Sequence, residues 1–166
     1  MHLHFGDAFN NSIEDVAWPS SLNRLRFGCS FNQPIADVLW PAGLLHLAFG
    51  GSFNRPIDKV VWPASLKQLV FGFSFNHPIN NVSWPSALQS LSFGTGFEQP
   101  IEDVVWPIAL QSLYFGDWFR CPIKAAKWPH SLLSLAFGRL FNQPIEGVLW
   151  PASLKRLALS PEYLLR

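Results

Sequence analysis

The chain has 166 residues, of which 49% are hydrophobic and only 14% charged, and its formal net charge is +1. That balance suits a single domain with a large interior and little charged surface. It excludes a strongly basic grip on a nucleic-acid backbone, and no apolar run approaches the roughly 20 residues of a membrane span, because Pro or Gly intervenes every few positions.

From the amino terminus, Leu3, Phe5-Gly6, Phe9, Ile13, Trp18-Pro19 and Leu22 mark out a pattern that then starts again at Leu25 and Phe27-Gly28. Phe-Gly returns every 22 residues through Phe137-Gly138, and Trp-Pro keeps the same beat from Trp18-Pro19 to Trp150-Pro151. A second Phe column runs from Phe9 to Phe141, an Ile column from Ile13 to Ile145, and two Leu columns from Leu22 to Leu154 and Leu3 to Leu157. No insertion or deletion disturbs the register, so the period is a property of the whole chain.

Within one coil, Leu22 to Pro41, the alternation Leu25-x-Phe27 predicts a short strand with both side chains on one face. Gly28 then bends the chain, with either a positive φ or close approach of the next coil as its reason. Phe31 returns inward, Pro34 starts a second, irregular or short extended side carrying Ile35 and Val38, and Trp40-Pro41 turns back towards Leu44. Two prolines and a glycine in each coil leave no room for a helix. The inward set is Leu22, Leu25, Phe27, Phe31, Ile35, Val38 and Trp40. One coil cannot offset the entropy of ordering its own backbone with so few buried groups, so it needs a neighbour above or below. The expected fold is mainly β: a leucine-rich-repeat-like solenoid of seven 22-residue coils, with a parallel strand ladder on one face. Residues 1–160 form it, as seven coils and a partial eighth, and 161–166 are expected to form a short tail or lid.

The segments FNQPI at 31–35 and 141–145, FNRPI at 53–57 and FNHPI at 75–79 resemble the FNIP repeat, a 22-residue relative of the leucine-rich repeats. FNNSI at 9–13, FEQPI at 97–101 and FRCPI at 119–123 depart from it. The resemblance implies a leucine-rich-repeat-like fold and protein binding, and it brings no catalytic residues. Members often carry an F-box, for which the residues outside the repeats are too few, so a ubiquitin-ligase role is not expected.

Asn10, Asn32, Asn54, Asn76 and Asn142 follow the inward Phe and are expected to form a structural ladder; Glu98 and Arg120 interrupt it within pairing reach of each other. Cys29 and Cys121 lie four coils apart, about 19 Å at the strand spacing, too far for a disulfide. His2 and His4 share a strand face and His46 stands two coils away, so these are expected to be exposed histidines rather than metal ligands. The acids Glu14, Asp15, Asp37, Asp58, Glu102, Asp103 and Glu146 form a solvated stripe beside the Ile column. No nucleophile–base set, P-loop or dinucleotide fingerprint occurs, so no enzyme activity, metal or cofactor is expected.

What varies between coils points to function. The outward strand position and the two residues after Gly carry Arg26, Val70, Phe73, Tyr114, Trp118 and Leu140. Large apolar groups at exposed positions have the composition of binding hot spots. The expectation is a non-catalytic protein-interaction module binding a protein, with no nucleic-acid or membrane partner. The alternatives are a structural solenoid that associates end to end through an uncapped first coil, and a fragment of a longer array. With no secretory leader in Met1–Gly6 and two cysteines, the expected compartment is the cytoplasm.

Overall fold

The computed structural model describes residues 1–159, so the expected carboxy-terminal lid at 161–166 lies outside the described residues. Eight three-residue strands repeat every 22 residues: β1 His2–His4, β2 Arg24–Arg26, β3 His46–Ala48, β4 Gln68–Val70, β5 Ser90–Ser92, β6 Ser112–Tyr114, β7 Ser134–Ala136 and β8 Arg156–Ala158. They form one parallel sheet in sequence order, with Leu3, Leu25, Leu47, Leu69, Leu91, Leu113, Leu135 and Leu157 paired in a single row. The ladder runs one residue past each strand, as where Phe27 N donates to Ala48 O at 2.9 Å and Phe49 N to Val70 O at 2.9 Å. Among the described residues there is no helix, and hence none long and apolar enough to cross a membrane.

Each coil is a strand and three tight turns. In the second coil these are closed by Phe31 N to Gly28 O, Val38 N to Ile35 O, and Leu44 N to Pro41 O, at 3.4, 3.4 and 3.0 Å. The turns place the inward columns in one continuous core: Leu22, Phe31, Leu44, Phe53, Leu66, Phe75, Leu88, Phe97, Leu110 and Phe119 are fully buried. The two Phe columns stack on each other within a coil, 4.0 Å between the Phe27 and Phe31 ring centroids, and on themselves between coils.

Trp18, Trp40 and Trp62 stack at 6.4 and 6.3 Å. Trp62, Trp106 and Trp128 are buried, whereas Trp18, Trp40, Trp84 and Trp150 are only partly covered. The indole Nε1 atoms of Trp18, Trp40, Trp62, Trp84, Trp106 and Trp128 are buried without a hydrogen-bond partner. Edge-to-face contacts, such as Trp40 on Phe49 at 6.4 Å and 80°, tie the row to the phenylalanines.

Of the two reasons offered for Gly28, close approach is the one found. Its φ is not positive, Gly147 being the residue with φ of 74°. A Cβ on Gly28 would instead strike the backbone of Gly6, and the same collision recurs at Gly50, Gly72, Gly94, Gly116 and Gly138 against the coil below. The glycine column therefore lets successive backbones touch at the end of the strand.

Equivalent rings in successive coils measure the rise of the stack. Parallel strands lie about 4.8 Å apart. The Phe column next to them repeats at 5.6 Å between Phe27 and Phe49, and the deeper one at 6.1 Å between Phe31 and Phe53. The Trp column repeats at 6.3 Å between Trp40 and Trp62. The ring spacing is larger in the deeper Phe column than in the one beside the sheet, so the solenoid curves with its strands on the concave side.

Candidate interaction surface

The outward residues of β1–β8 and the turn after each glycine form the concave face and its rim. The rim is a second hydrogen-bonded ladder: Ser52 N donates to Cys29 O, Ser74 N to Gly51 O, Gly96 N to Phe73 O, Trp118 N to Thr95 O and Leu140 N to Asp117 O, at 2.8–3.0 Å. Asp7 Oδ1 accepts from Cys29 N at 3.1 Å and Asp117 Oδ1 from Arg139 N at 3.2 Å, fixing the same turn from the side-chain end. That bond to the Cys29 amide, with the nearby His4 and Arg26 charges, holds the Asp7 carboxyl below the usual aspartate value. Side chains on this rim are therefore carried by a rigid backbone.

The structure gathers most of the expected binding residues. Phe73, Tyr114, Trp118 and Leu140 are 52, 42, 42 and 41% exposed. The Phe73 and Trp118 rings meet edge-to-face at 5.5 Å and 75°, although two coils separate them in sequence. Thr95 and buried Gly96 occupy the same turn of the coil between, and a Cβ on Gly96 would strike the Phe73 carbonyl oxygen. Leu140 follows Trp118 in the same column, and Tyr114 ends β6 three residues before Asp117. Burial first, and the Asp117 charge second, push the Tyr114 hydroxyl above the ordinary tyrosine value. Val70, in β4, is half-buried, and exposed Arg26 stands apart, two strands further down the sheet.

The Asn column joins coils through side chains. Asn10 Oδ1 accepts from Asn32 N at 2.8 Å, Asn32 Oδ1 from Asn54 N at 2.9 Å, Asn54 Oδ1 from Asn76 N at 3.0 Å, and Asn76 Oδ1 from Glu98 N at 3.0 Å. Above that, Arg120 pairs with Glu98 at 3.0 Å; both side chains are well exposed, so the pair contributes at most about 1 kcal/mol. Asn142 lies beyond the interruption and accepts from its neighbour Gln143 at 3.0 Å. Cys29 is an exposed thiol, and Cys121 is half-buried with Sγ donating to Glu98 O at 3.0 Å. Burial, ahead of the Glu98 and Glu102 charges, raises the Cys121 thiol.

Two surface features were missed by the reading of the sequence. Leu39, Val61, Val105 and Leu149 are 78–85% exposed, far more than Tyr114 or Trp118, on the outer side that the acids alone were expected to cover. The signal was the alternation Val-x-Trp, which turns the middle residue outward. The other is the company Arg26 keeps: Arg24 is exposed beside it, and the register sets both between His2 and His4 on one flank and His46 on the other.

Comparison with known proteins agrees with this geometry. The model of the FNIP Repeat family matches residues 31–74, 53–96 and 97–140. No curated protein matches the chain. A solved structure described as CroV588, a novel circular LRR protein, superposes on 95% of the chain with a TM-score of 0.75 and 37% sequence identity. This chain spans only 26% of that protein's length. With repeats matched over most of its length, the chain belongs to the FNIP repeat family.

Proposed function

We propose that the chain is a non-catalytic protein-interaction module, whose partner docks on the concave face and rim around Phe73, Tyr114, Trp118 and Leu140. The observation that carries this reading is the Phe73–Trp118 pair. Two large rings pack on each other, at 5.5 Å, on a hydrogen-bonded rim outside the core, and stay half exposed. Preorganised aromatic side chains lose little entropy on binding, which is why they dominate interface energetics. A protein partner suits them better than a nucleic acid or a membrane, because the aromatics are few and are not interleaved with a basic track.

The test is the double variant Tyr114→Ala, Trp118→Ala in affinity capture followed by mass spectrometry, beside a melting curve. Specific partners are expected to be lost while the melting temperature stays within a few degrees of wild type. A large fall in melting temperature would show that the two rings are core, and would refute the reading.

A second reading, end-to-end association, is favoured by the circular form of the similar protein. Light scattering across concentration separates the two, since a mass that does not change with concentration removes the stacking model.

A further inference from the structure

The outward positions of β1, β2 and β3 carry His2, His4, Arg24, Arg26 and His46. The register arranges them in two rows, His2–Arg24–His46 and His4–Arg26. With strands about 4.8 Å apart and alternate residues about 6.6 Å apart, the five side chains share a patch of roughly 10 by 7 Å. All but His46 are exposed. His46 Nδ1 donates to Gln68 Oε1 at 2.9 Å, which fixes the ring. Among the described residues neither arginine has an ion-pair partner. The nearby carboxylate, Asp7 on the rim, accepts from the Cys29 amide and feels the Arg26 charge, but forms no ion pair with it.

Net charge conceals this patch. No outward residue of β1–β8 is acidic; Glu14, Asp15, Asp37, Asp58, Glu102, Asp103 and Glu146 all lie on the Ile–Val side of the coils. The concave face is therefore cationic at one end while the molecule is nearly neutral. The floor is not uniformly polar: the same shallow depression, about 430 Å³, continues over Ala48 and Val70.

We propose that this patch receives an acidic peptide segment of the protein partner, with carboxylates held by Arg24 and Arg26 and an adjoining apolar side chain resting on Ala48 and Val70. The proposal rests on the reading of the concave face as a partner-binding surface and adds the chemistry of its amino-terminal end. Arginine presents a rigid fork of donors that matches a carboxylate, and two such forks on one strand meet alternate residues of an extended acidic segment. A nucleic acid fits less well. The patch ends after three strands, β4–β7 present no further cation outward, and no Phe, Tyr or Trp lines the depression to stack a base. A membrane surface is disfavoured for want of a lysine cluster.

The test is direct titration of a fluorescein-labelled hexapeptide of alternating glutamate and leucine, followed by anisotropy, against wild type, Arg24→Glu with Arg26→Glu, and Tyr114→Ala with Trp118→Ala. Binding is expected to weaken by about tenfold or more in the charge-reversed variant, at an unchanged melting temperature, and to persist in the aromatic variant. Arg24→Gln with Arg26→Gln introduces no new charge and is expected to lose most of the same affinity, so a folding defect in the reversed variant does not obscure the result. Equal binding of a peptide with glutamine in place of glutamate would overturn the proposal. So would undiminished binding by both arginine variants, or displacement of the peptide by oligouridylate at equal concentration. Because the peptide is added directly, failure to capture a cellular partner bears on the aromatic rim and leaves this titration readable.

Discussion

Replacing Gly72 by alanine probes the contact on which the stack depends. The added Cβ would fall on the carbonyl of Gly50 and lie 2.9 Å from Gly51 N, all of it backbone that cannot rotate aside. Relief requires the two coils to part by about an ångström, since carbon–carbon contacts are favourable only near 3.5–4.0 Å. The parting strains the rim bond of Ser74 N to Gly51 O, now 2.8 Å, and the strand-end bond of Phe49 N to Val70 O, now 2.9 Å. It also opens the Phe49–Phe71 stack, now 5.8 Å. Two backbone hydrogen bonds at about 1 kcal/mol each and a loosened aromatic contact of similar size give a loss of about 3 kcal/mol. The assay is urea unfolding followed by tryptophan fluorescence, with two internal controls. Gly51, the very next residue to Gly50, and Gly6, on the first coil, have no atom within 4 Å of a built Cβ. Neither has a positive φ, so alanine at either is expected to change stability by less than about 1 kcal/mol, in the stabilising direction if at all. If Gly72→Ala unfolds at the wild-type urea concentration, or if Gly51→Ala is as damaging, close approach is not why the column is glycine.

Two further outcomes test the side-chain ladders and the thiols. Asn54→Ala removes the acceptor of the Asn76 amide at an exposed site, so stability is expected to fall by about 1 kcal/mol and the Asn76 amide to exchange hydrogen faster; unchanged exchange would mean that the Oδ1 bond is dispensable. At mildly alkaline pH an aromatic disulfide reagent is expected to modify Cys29 well before Cys121. The Cys121 thiol is half-buried, bonded to Glu98 O and raised by burial, and thus carries less thiolate; equal rates would refute that account.

The repeat made the core legible because in a solenoid a column is read once and holds everywhere. The positions of Leu25, Phe27, Phe31, Ile35 and Val38 followed from alternation and turn residues alone, and all five are buried. The same reasoning left Gly28 with two explanations, since sequence does not separate φ from crowding; only the distance to Gly6 does. It also treated Trp40 and Trp62 alike, whereas Trp62 is buried and Trp40 only partly so. The aromatic rim was visible as large residues in variable positions. The Phe73–Trp118 contact was not, because it skips a coil and joins two different columns. Arg24 escaped notice because charge was summed along the chain. Reading it down the columns, as the apolar residues were read, sets Arg24 between His2 and His46.

The unequal spacing of the rows makes every coil a wedge. Hydrogen bonds fix its thin edge, and the thickness and tilt of the aromatic rings set its broad one, 6.1 Å between Phe31 and Phe53. Bending is thus written into side-chain bulk rather than into any hinge, in the manner of tapered stones in an arch. Slimmer aliphatic groups along the Phe31 and Trp40 rows would straighten the arc and flatten the hollow that a ligand has to match.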